Sequence, residues 1–135
     1  ICFGHQIMAD VWGGKAEKAD KGFITGAREF ESPAGPVSAY VAHQDQVTDV
    51  PPNAQVVAGS DYCPVAALAY DFPAFSVQFH PEYNRGFTED LIDMFGDQLM
   101  NADQIAEAKS TLDADVPAGL FGAQTAAFFR GNIPR

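Results

Sequence analysis

The spacing of apolar residues changes twice along this chain, and each spacing predicts a different kind of element. Ile7, Met8, Val11 and Trp12 fall at i, i+1, i+4 and i+5, one face of a helix over residues 5–12. Gly13-Gly14 ends it, as glycine does beyond a helix C-terminus. The middle of the chain then reads as strands. Residues 23–30, 37–42, 54–60, 65–70 and 74–79 are short runs rich in Val, Ala and aromatics. Pro33-Ala34-Gly35-Pro36, Pro51-Pro52-Asn53 and Asp71-Phe72-Pro73 separate them. Connections this short predict antiparallel pairs. The last third returns to a helical period, with Leu91, Phe95 and Leu99 recurring every four residues. Thr88 is placed to cap that helix, with Glu89 and Asp90 in its first turn. Asn101 with Gln104 predicts a capping box for a second helix through Leu112. A third begins near Pro117, carries Leu120, Phe121, Gln124 and Phe128, and ends before Gly131. The apolar content of residues 113–135 is expected to pack back onto the sheet. A partner or homodimer surface is the alternative use of that face.

A chain of 135 residues that is 47% hydrophobic can bury one core as one domain. No apolar run approaches the roughly 20 residues of a membrane span, and no signal peptide is visible. The first residue is not Met, so a processed or incomplete chain is expected. Eighteen acidic against eight basic residues leave a net charge of -10, which argues against nucleic-acid binding by bulk electrostatics. The same balance fits an acidic cytoplasmic protein. Lys15, Lys18 and Lys21 form a local basic cluster, read as a solvated loop. Cys2 and Cys63 do not make a disulfide framework and are read as reduced thiols. Cys63 reads as a small semi-buried residue at a strand start.

Cys2 differs from Cys63 in its neighbours along the chain. In Cys2-Phe3-Gly4-His5-Gln6 a thiol sits where a strand should turn sharply into a helix. The helix N-terminus would lower its pKa. Gly4 would keep side chains clear of the turn, and the Phe3 N–H would point where an oxyanion develops. Gln6, one turn into the helix, could direct its amide toward a bound polar substrate. The second half of the pattern is His80-Pro81-Glu82, at the end of the strand-like run 74–79. Functional groups in α/β sheets gather at strand C-termini. Pro81 would stiffen the turn so that Glu82 holds the His80 imidazole and stabilises its cation beside a thiolate. Thiol, base and carboxylate together are the parts of a nucleophilic triad. His43 lies just past another strand and is given a pocket role, mostly through the backbone of Gln44 and Asp45. His5 is read as a packing or hydrogen-bonding residue, since His80 already serves as the base.

Together these residues resemble a class I (triad) glutamine amidotransferase domain. Ile1 to Gln6 resembles that family's nucleophile elbow, and Val77-Gln78-Phe79-His80-Pro81-Glu82 its His/Glu motif. His43-Gln44-Asp45-Gln46-Val47 and Pro51-Pro52-Asn53-Ala54 match an intermediate block in order and spacing. Gly13-Gly14-Lys15 and Lys21-Gly22 look most like the free-standing, GMP synthase-like branch. The resemblance covers roughly residues 1 to 112. It implies a three-layer α/β fold, flavodoxin-like or Rossmann-like, of which this chain carries the C-terminal part with C-terminal helices. The first strands, including the one feeding Cys2, and a glycine-rich oxyanion loop are expected upstream of Ile1. A partial amidotransferase domain over 1–112 and a helical extension over 113–135 packing on the same domain complete the expected organisation.

Carried over residue by residue, the resemblance makes Cys2 the nucleophile, His80 the general base and acid, and Glu82 its orienter. Phe3 would supply an oxyanion N–H, and Gln6 with the main chain around Gln44 and Asp45 would contact the substrate. The implied reaction hydrolyses the side-chain amide of glutamine through a thioester on Cys2. Its ammonia would pass to a synthase subunit on a separate chain, and no metal or organic cofactor is required. Two other readings stay open. Related members resemble γ-glutamyl peptidases that use the same three residues, and a non-catalytic module could retain the fold alone.

Overall fold

The computed structural model describes residues 1–131, and of Leu120 it describes the backbone alone. The chain opens on helix α1 (Phe3–Val11), followed by seven strands: β1 (Lys15–Lys18), β2 (Ile24–Phe30), β3 (Val37–His43), β4 (Asp45–Asp49), β5 (Ala54–Ala58), β6 (Ala67–Tyr70) and β7 (Phe75–Val77). Helices α2 (Arg85–Leu99), α3 (Ala102–Ser110) and α4 (Leu120–Phe129) complete it. The mixed α/β class read from the sequence is the class observed. The strand pairs are antiparallel: β1 with β4, β2 with β3, β5 with β6 and β6 with β7. Single bridges tie the pieces together, Glu31 to Gly59 and Tyr40 to His80. The second bridge carries the end of the β7 segment against β3.

Three apolar clusters hold the layers. Phe30, Val41, Ala66, Val77 and Phe79 form the largest, and Phe121 of α4 packs on it with its ring edge-on to Phe79 at 5.5 Å. Ala9 of α1 packs with Val47, Val65, Leu68 and Tyr70. Ile92 of α2 and Ala108 of α3 pack with Ala27 and Tyr40 of the β2–β3 hairpin. Alternation along the β7 segment sorts these contacts. Phe75, Val77 and Phe79 face the aromatic core, whereas Ser76 and Gln78 point toward α1.

Several expectations are corrected. Thr88 does not cap α2; it is fully buried, and Asn84 is the cap, its side chain accepting from the Phe87 N–H at 2.9 Å. The helix therefore starts earlier, Glu89 and Asp90 fall outside the first turn, and the buried face is Thr88, Ile92 and Gly96. Phe95 and Leu99 are exposed, because the buried row is Thr88–Ile92–Gly96, one position out of step with theirs, and successive positions lie about 100° apart around the helix. Lys15 and Lys18 belong to a strand, held by its pairing to β4, although both remain solvated. On α1, Ile7, Val11 and Trp12 are exposed, while His5, Gln6 and Ala9 are buried. The third helix starts at Leu120 rather than near Pro117, after Gly119 in a left-handed conformation. Cys63 is fully buried in the turn before β6, not at a strand start. The capping box of Asn101 and Gln104 is present, with both bonds at 2.9 Å. Residues 132–135 of the expected extension lie outside the described residues. No described helix is long and apolar enough to cross a membrane.

The hairpin and α3 meet at Gly26. Its φ is +98°, and a Cβ there would collide with the Thr111 side chain and the Ala108 carbonyl. Left-handed strain and overpacking against backbone act together at this position. Gly26→Ala is expected to cost about 2–4 kcal/mol of stability, measured as a lowered midpoint in denaturant unfolding at unchanged slope.

Candidate active site

Cys2 is the N-cap of α1 at φ 46°, ψ −108°. Among the described residues it is the one non-glycine with positive φ, and such strain concentrates at functional turns. Its N–H donates to the Val77 carbonyl at 2.8 Å, and its own carbonyl accepts from the Gln6 N–H at 3.1 Å. The turn is thus stitched to the last residue of β7 on one side and to its own helix on the other. Gly4 is not required for lack of space, since a Cβ there meets nothing within 4 Å.

The thiol is partly buried. It points at the Ala42 carbonyl, 3.9 Å away at the end of β3, and accepts from the Gln78 amide at 3.4 Å. The expectation of a lowered thiol pKa is reversed. Burial pushes the Cys2 thiol above its ordinary value; the Phe3 N–H and the Gln78 amide pull it back, and the nearby Glu82 charge pushes it up again. The Phe3 N–H lies close enough to the sulfur to offset part of the effect of burial.

His80 follows β7 by three residues, and its N–H donates to the Tyr40 carbonyl at 2.8 Å. Tyr83 N–H closes a turn onto the His80 carbonyl at 3.1 Å, with Pro81 fixing the turn's second position. The turn brings the two side chains together, and His80 Nδ1 donates to Glu82 Oε1 at 2.7 Å. This orients the ring, and among the described residues Nε2 has no hydrogen-bond partner. The imidazole is also stacked on Tyr83, with centroids 4.1 Å apart and planes 11° off parallel. Burial raises the pKa of the Tyr83 hydroxyl, and the charges of Glu82 and Cys2 add to the rise. Among the described residues the hydrogen-bond partners of the thiol are Ala42 and Gln78, not His80.

The remaining predicted residues are largely engaged with one another. Gln6 is buried, and its amide NH2 donates to the Asp45 carbonyl at 2.8 Å and to Gln78 Oε1 at 3.1 Å. The Gln44 carbonyl accepts from Ala19 N–H at 3.0 Å. The Asp45 carbonyl also takes His43 Nδ1–H at 3.1 Å, and His43 Nε2 faces the Tyr62 hydroxyl at 3.5 Å. His43 therefore shapes the wall below Asp45 rather than facing the thiol. His5 is buried between the Ser76 hydroxyl at 2.8 Å and the Val65 carbonyl at 3.0 Å. The carbonyl can only accept, so His5 is protonated at Nε2, and burial, which lowers its pKa to about 4, keeps the ring neutral near pH 7. That is the hydrogen-bonding role read for it.

Gln78 and Tyr83 escaped the sequence reading. A signal for Gln78 existed: Ser76 and Gln78 put two polar side chains on one face of an otherwise apolar strand ending at His80. A buried polar face of that kind has to be hydrogen-bonded.

The chain belongs to the class-I glutamine amidotransferase family. The family model "Glutamine amidotransferase class-I" matches residues 1–98. Gamma-glutamyl peptidase 3 of Arabidopsis thaliana is 35% identical over 134 residues, 87% of this chain and 53% of that protein. A glutamine-hydrolyzing GMP synthase subunit of Methanopyrus kandleri is 36% identical over 99 residues, 66% of this chain and 52% of that protein. This chain thus spans about half the length of these relatives. Among solved structures, a glutamine amidotransferase from Thermotoga maritima superposes with a TM-score of 0.72 over 99% of this chain and 61% of its own, at 18% identity. That likeness establishes the fold.

Burial gives the two cysteines different reactivities. Alkylation of Cys2 by iodoacetamide should rise with pH to a midpoint above the ordinary 9.0, read by mass spectrometry of the Cys2 peptide. Cys63, fully buried with its thiol pushed up to about 12, should stay unlabelled over the same range. Separately, burial lowers His5 and His43 from 6.5 to about 4. The unfolded chain binds those protons at higher pH than the folded one, so acid favours unfolding. Stability should be full above pH 6.5 and fall as pH drops toward 4, measured as denaturant midpoints across that window.

Proposed function

We propose that the chain carries the thiol centre of a γ-glutamyl amide hydrolase, with glutamine as the simplest substrate. The observation that carries this reading is the 2.7 Å His80–Glu82 hydrogen bond at the end of the strand to which the strained Cys2 turn is bonded. An imidazole held by a carboxylate, at the end of the strand that anchors a partly exposed thiol, supplies the parts for acyl transfer.

Each part has its step. The Cys2 thiol gives its proton to His80 Nε2 as the sulfur attacks the amide carbon, and the Phe3 N–H stabilises the developing oxyanion. His80 then protonates the leaving nitrogen, and the C–N bond breaks to leave a glutamyl thioester on Cys2. Water gives a proton to the same imidazole and attacks the thioester carbon. Collapse returns the proton to sulfur and releases glutamate. Glu82 keeps Nδ1 protonated and stabilises the imidazolium in both halves. The raised resting pKa of Cys2 makes His80 the more important, because little thiolate is present before the base acts. Gln6 and the backbone of Gln44 and Asp45 contact the glutamyl part in this reading. The Gln6 amide is tied to the Asp45 carbonyl and the Gln44 carbonyl to the Ala19 N–H, so they would bind as a pre-set wall.

The two named kinds of relative differ in the leaving amine. In the amidotransferase reading ammonia leaves and passes to a synthase subunit on another chain; a relative named as a GMP synthase subunit supports it. In the peptidase reading a larger amine leaves. Its support is extent: likeness to the γ-glutamyl peptidase covers 87% of this chain, against 66% for the synthase subunit.

The test is glutamate release from glutamine and from γ-glutamyl dipeptides by the protein as it occurs. Cys2→Ser and His80→Ala should each lower turnover by at least about 10³-fold, and Glu82→Gln by about 10–100-fold, mostly in kcat. Retention of full turnover by Cys2→Ser sinks the proposal. Glutamine hydrolysis that rises only when a synthase subunit is added supports the amidotransferase reading; dipeptide hydrolysis without one supports the peptidase.

A further inference from the structure

Gln78 has no exposed surface, and both ends of its amide are engaged. Nε2 donates to Cys2 Sγ at 3.4 Å, and Oε1 accepts from Gln6 Nε2 at 3.1 Å. Gln6 Nε2 also donates to the Asp45 carbonyl at 2.8 Å. That main-chain carbonyl has no hydrogen to give, and this one fact orients the whole series. Gln6 must turn its NH2 toward Asp45, so its second N–H meets Gln78. Gln78 must then offer oxygen to Gln6, and its own NH2 faces the sulfur. Flipping either amide would set like groups against each other.

The sulfur consequently lies between two opposed partners. The Ala42 carbonyl, at 3.9 Å, accepts and favours the S–H form. The Gln78 N–H donates and favours the ionised form, with a bond that strengthens as the sulfur gains charge. The amide dipoles of Gln6 and Gln78 run head to tail toward the sulfur, so each polarises the next. Gln78 is also fixed by its backbone, whose N–H donates to the Ala66 carbonyl at 2.8 Å.

We propose that Gln78 is a thiol-positioning residue, which aims Cys2 Sγ and stabilises its ionised form through an amide relay anchored on the Asp45 carbonyl. The proposal deepens the reading of Cys2 as the nucleophile and rests on it. It also gives Gln6 a role inside the protein, as the link that fixes which way Gln78 faces.

The test reads the sulfur directly, by the pH dependence of Cys2 alkylation in the full chain. Gln78→Leu should slow alkylation at neutral pH by roughly 10–100-fold, the range for losing one hydrogen bond to a charged group, and move the midpoint to higher pH. At pH above the midpoint the variant rate should match or exceed the parent rate. A merely structural role would instead lower the rate at every pH. Gln78→Glu keeps the shape and the acceptor for Gln6, removes the donor and sets a carboxyl oxygen against the sulfur, whose repulsion of a thiolate should shift the midpoint further than Gln78→Leu does. This near-isosteric variant decides the matter if Gln78→Leu does not fold. Gln6→Leu should shift the midpoint in the same direction by less. An unchanged midpoint in folded Gln78→Glu, or in folded Gln6→Leu, overturns the relay. Alkylation does not depend on turnover, so a Cys2→Ser variant that retained activity would refute the hydrolase reading without altering this result.

Discussion

The hydrogen bond from the Cys2 N–H to the Val77 carbonyl, 2.8 Å long, is the constraint on which the site depends. It joins the first turn of the chain to a strand residue only three positions before His80. The same strand segment places Gln78 against the sulfur and Ser76 against His5. One short strand therefore positions Cys2, Gln78 and His80, and their geometry varies together. The strained φ of Cys2 is tolerable because bonds on both sides of the turn over-determine it. The bridge from His80 to Tyr40 fixes the other end, so that Cys2 and His80 are each hung from a backbone bond rather than from loop packing.

Burial and hydrogen bonding pull the thiol in opposite directions, and burial wins in the resting protein. Such a thiol is spared adventitious oxidation, because the thiolate is the reactive species. In the proposed reaction its activation falls to His80 acting as base once substrate is bound, with Glu82 holding the ring and Tyr83 stacked beneath it. Tyr83 restricts the imidazole to rotation in its own plane, and the Nδ1 bond to Glu82 stops even that. The imidazole is left with one setting.

The α/β class, the Cys2 turn into α1 and the His80–Glu82 pair were legible in the sequence because they depend on local signals: a cysteine before a helix, and a His-x-Glu turn after an apolar run. The illegible features depended on partners distant in sequence. β1 and β4 are polar and short, and pairing defines them rather than propensity. The cap of α2 moved from Thr88 to Asn84 because a buried threonine and a capping threonine look alike until packing chooses between them. The direction of the Cys2 pKa shift was misjudged for a related reason. A helix N-terminus is visible in sequence, whereas burial by residues some 40 to 80 positions away is not. Gln78 was hidden inside a strand pattern whose polar face finds its partner only when α1 docks on it.

That docking is unusual in its chemistry. The buried face of α1 is His5, Gln6 and Ala9, so the helix is seated more by directional bonds than by apolar area. His5 bridges Ser76 and Val65; Gln6 bridges Asp45 and Gln78. Apolar contacts tolerate small slides and rotations, while a buried hydrogen bond loses most of its value within a few tenths of an ångström. A helix held this way has one rotational setting, and Cys2 is its N-cap. The desolvation that such polar burial costs is offset only when every bond is made. The arrangement that makes α1 demanding to seat is therefore the same one that fixes the angle at which the thiol leaves the turn.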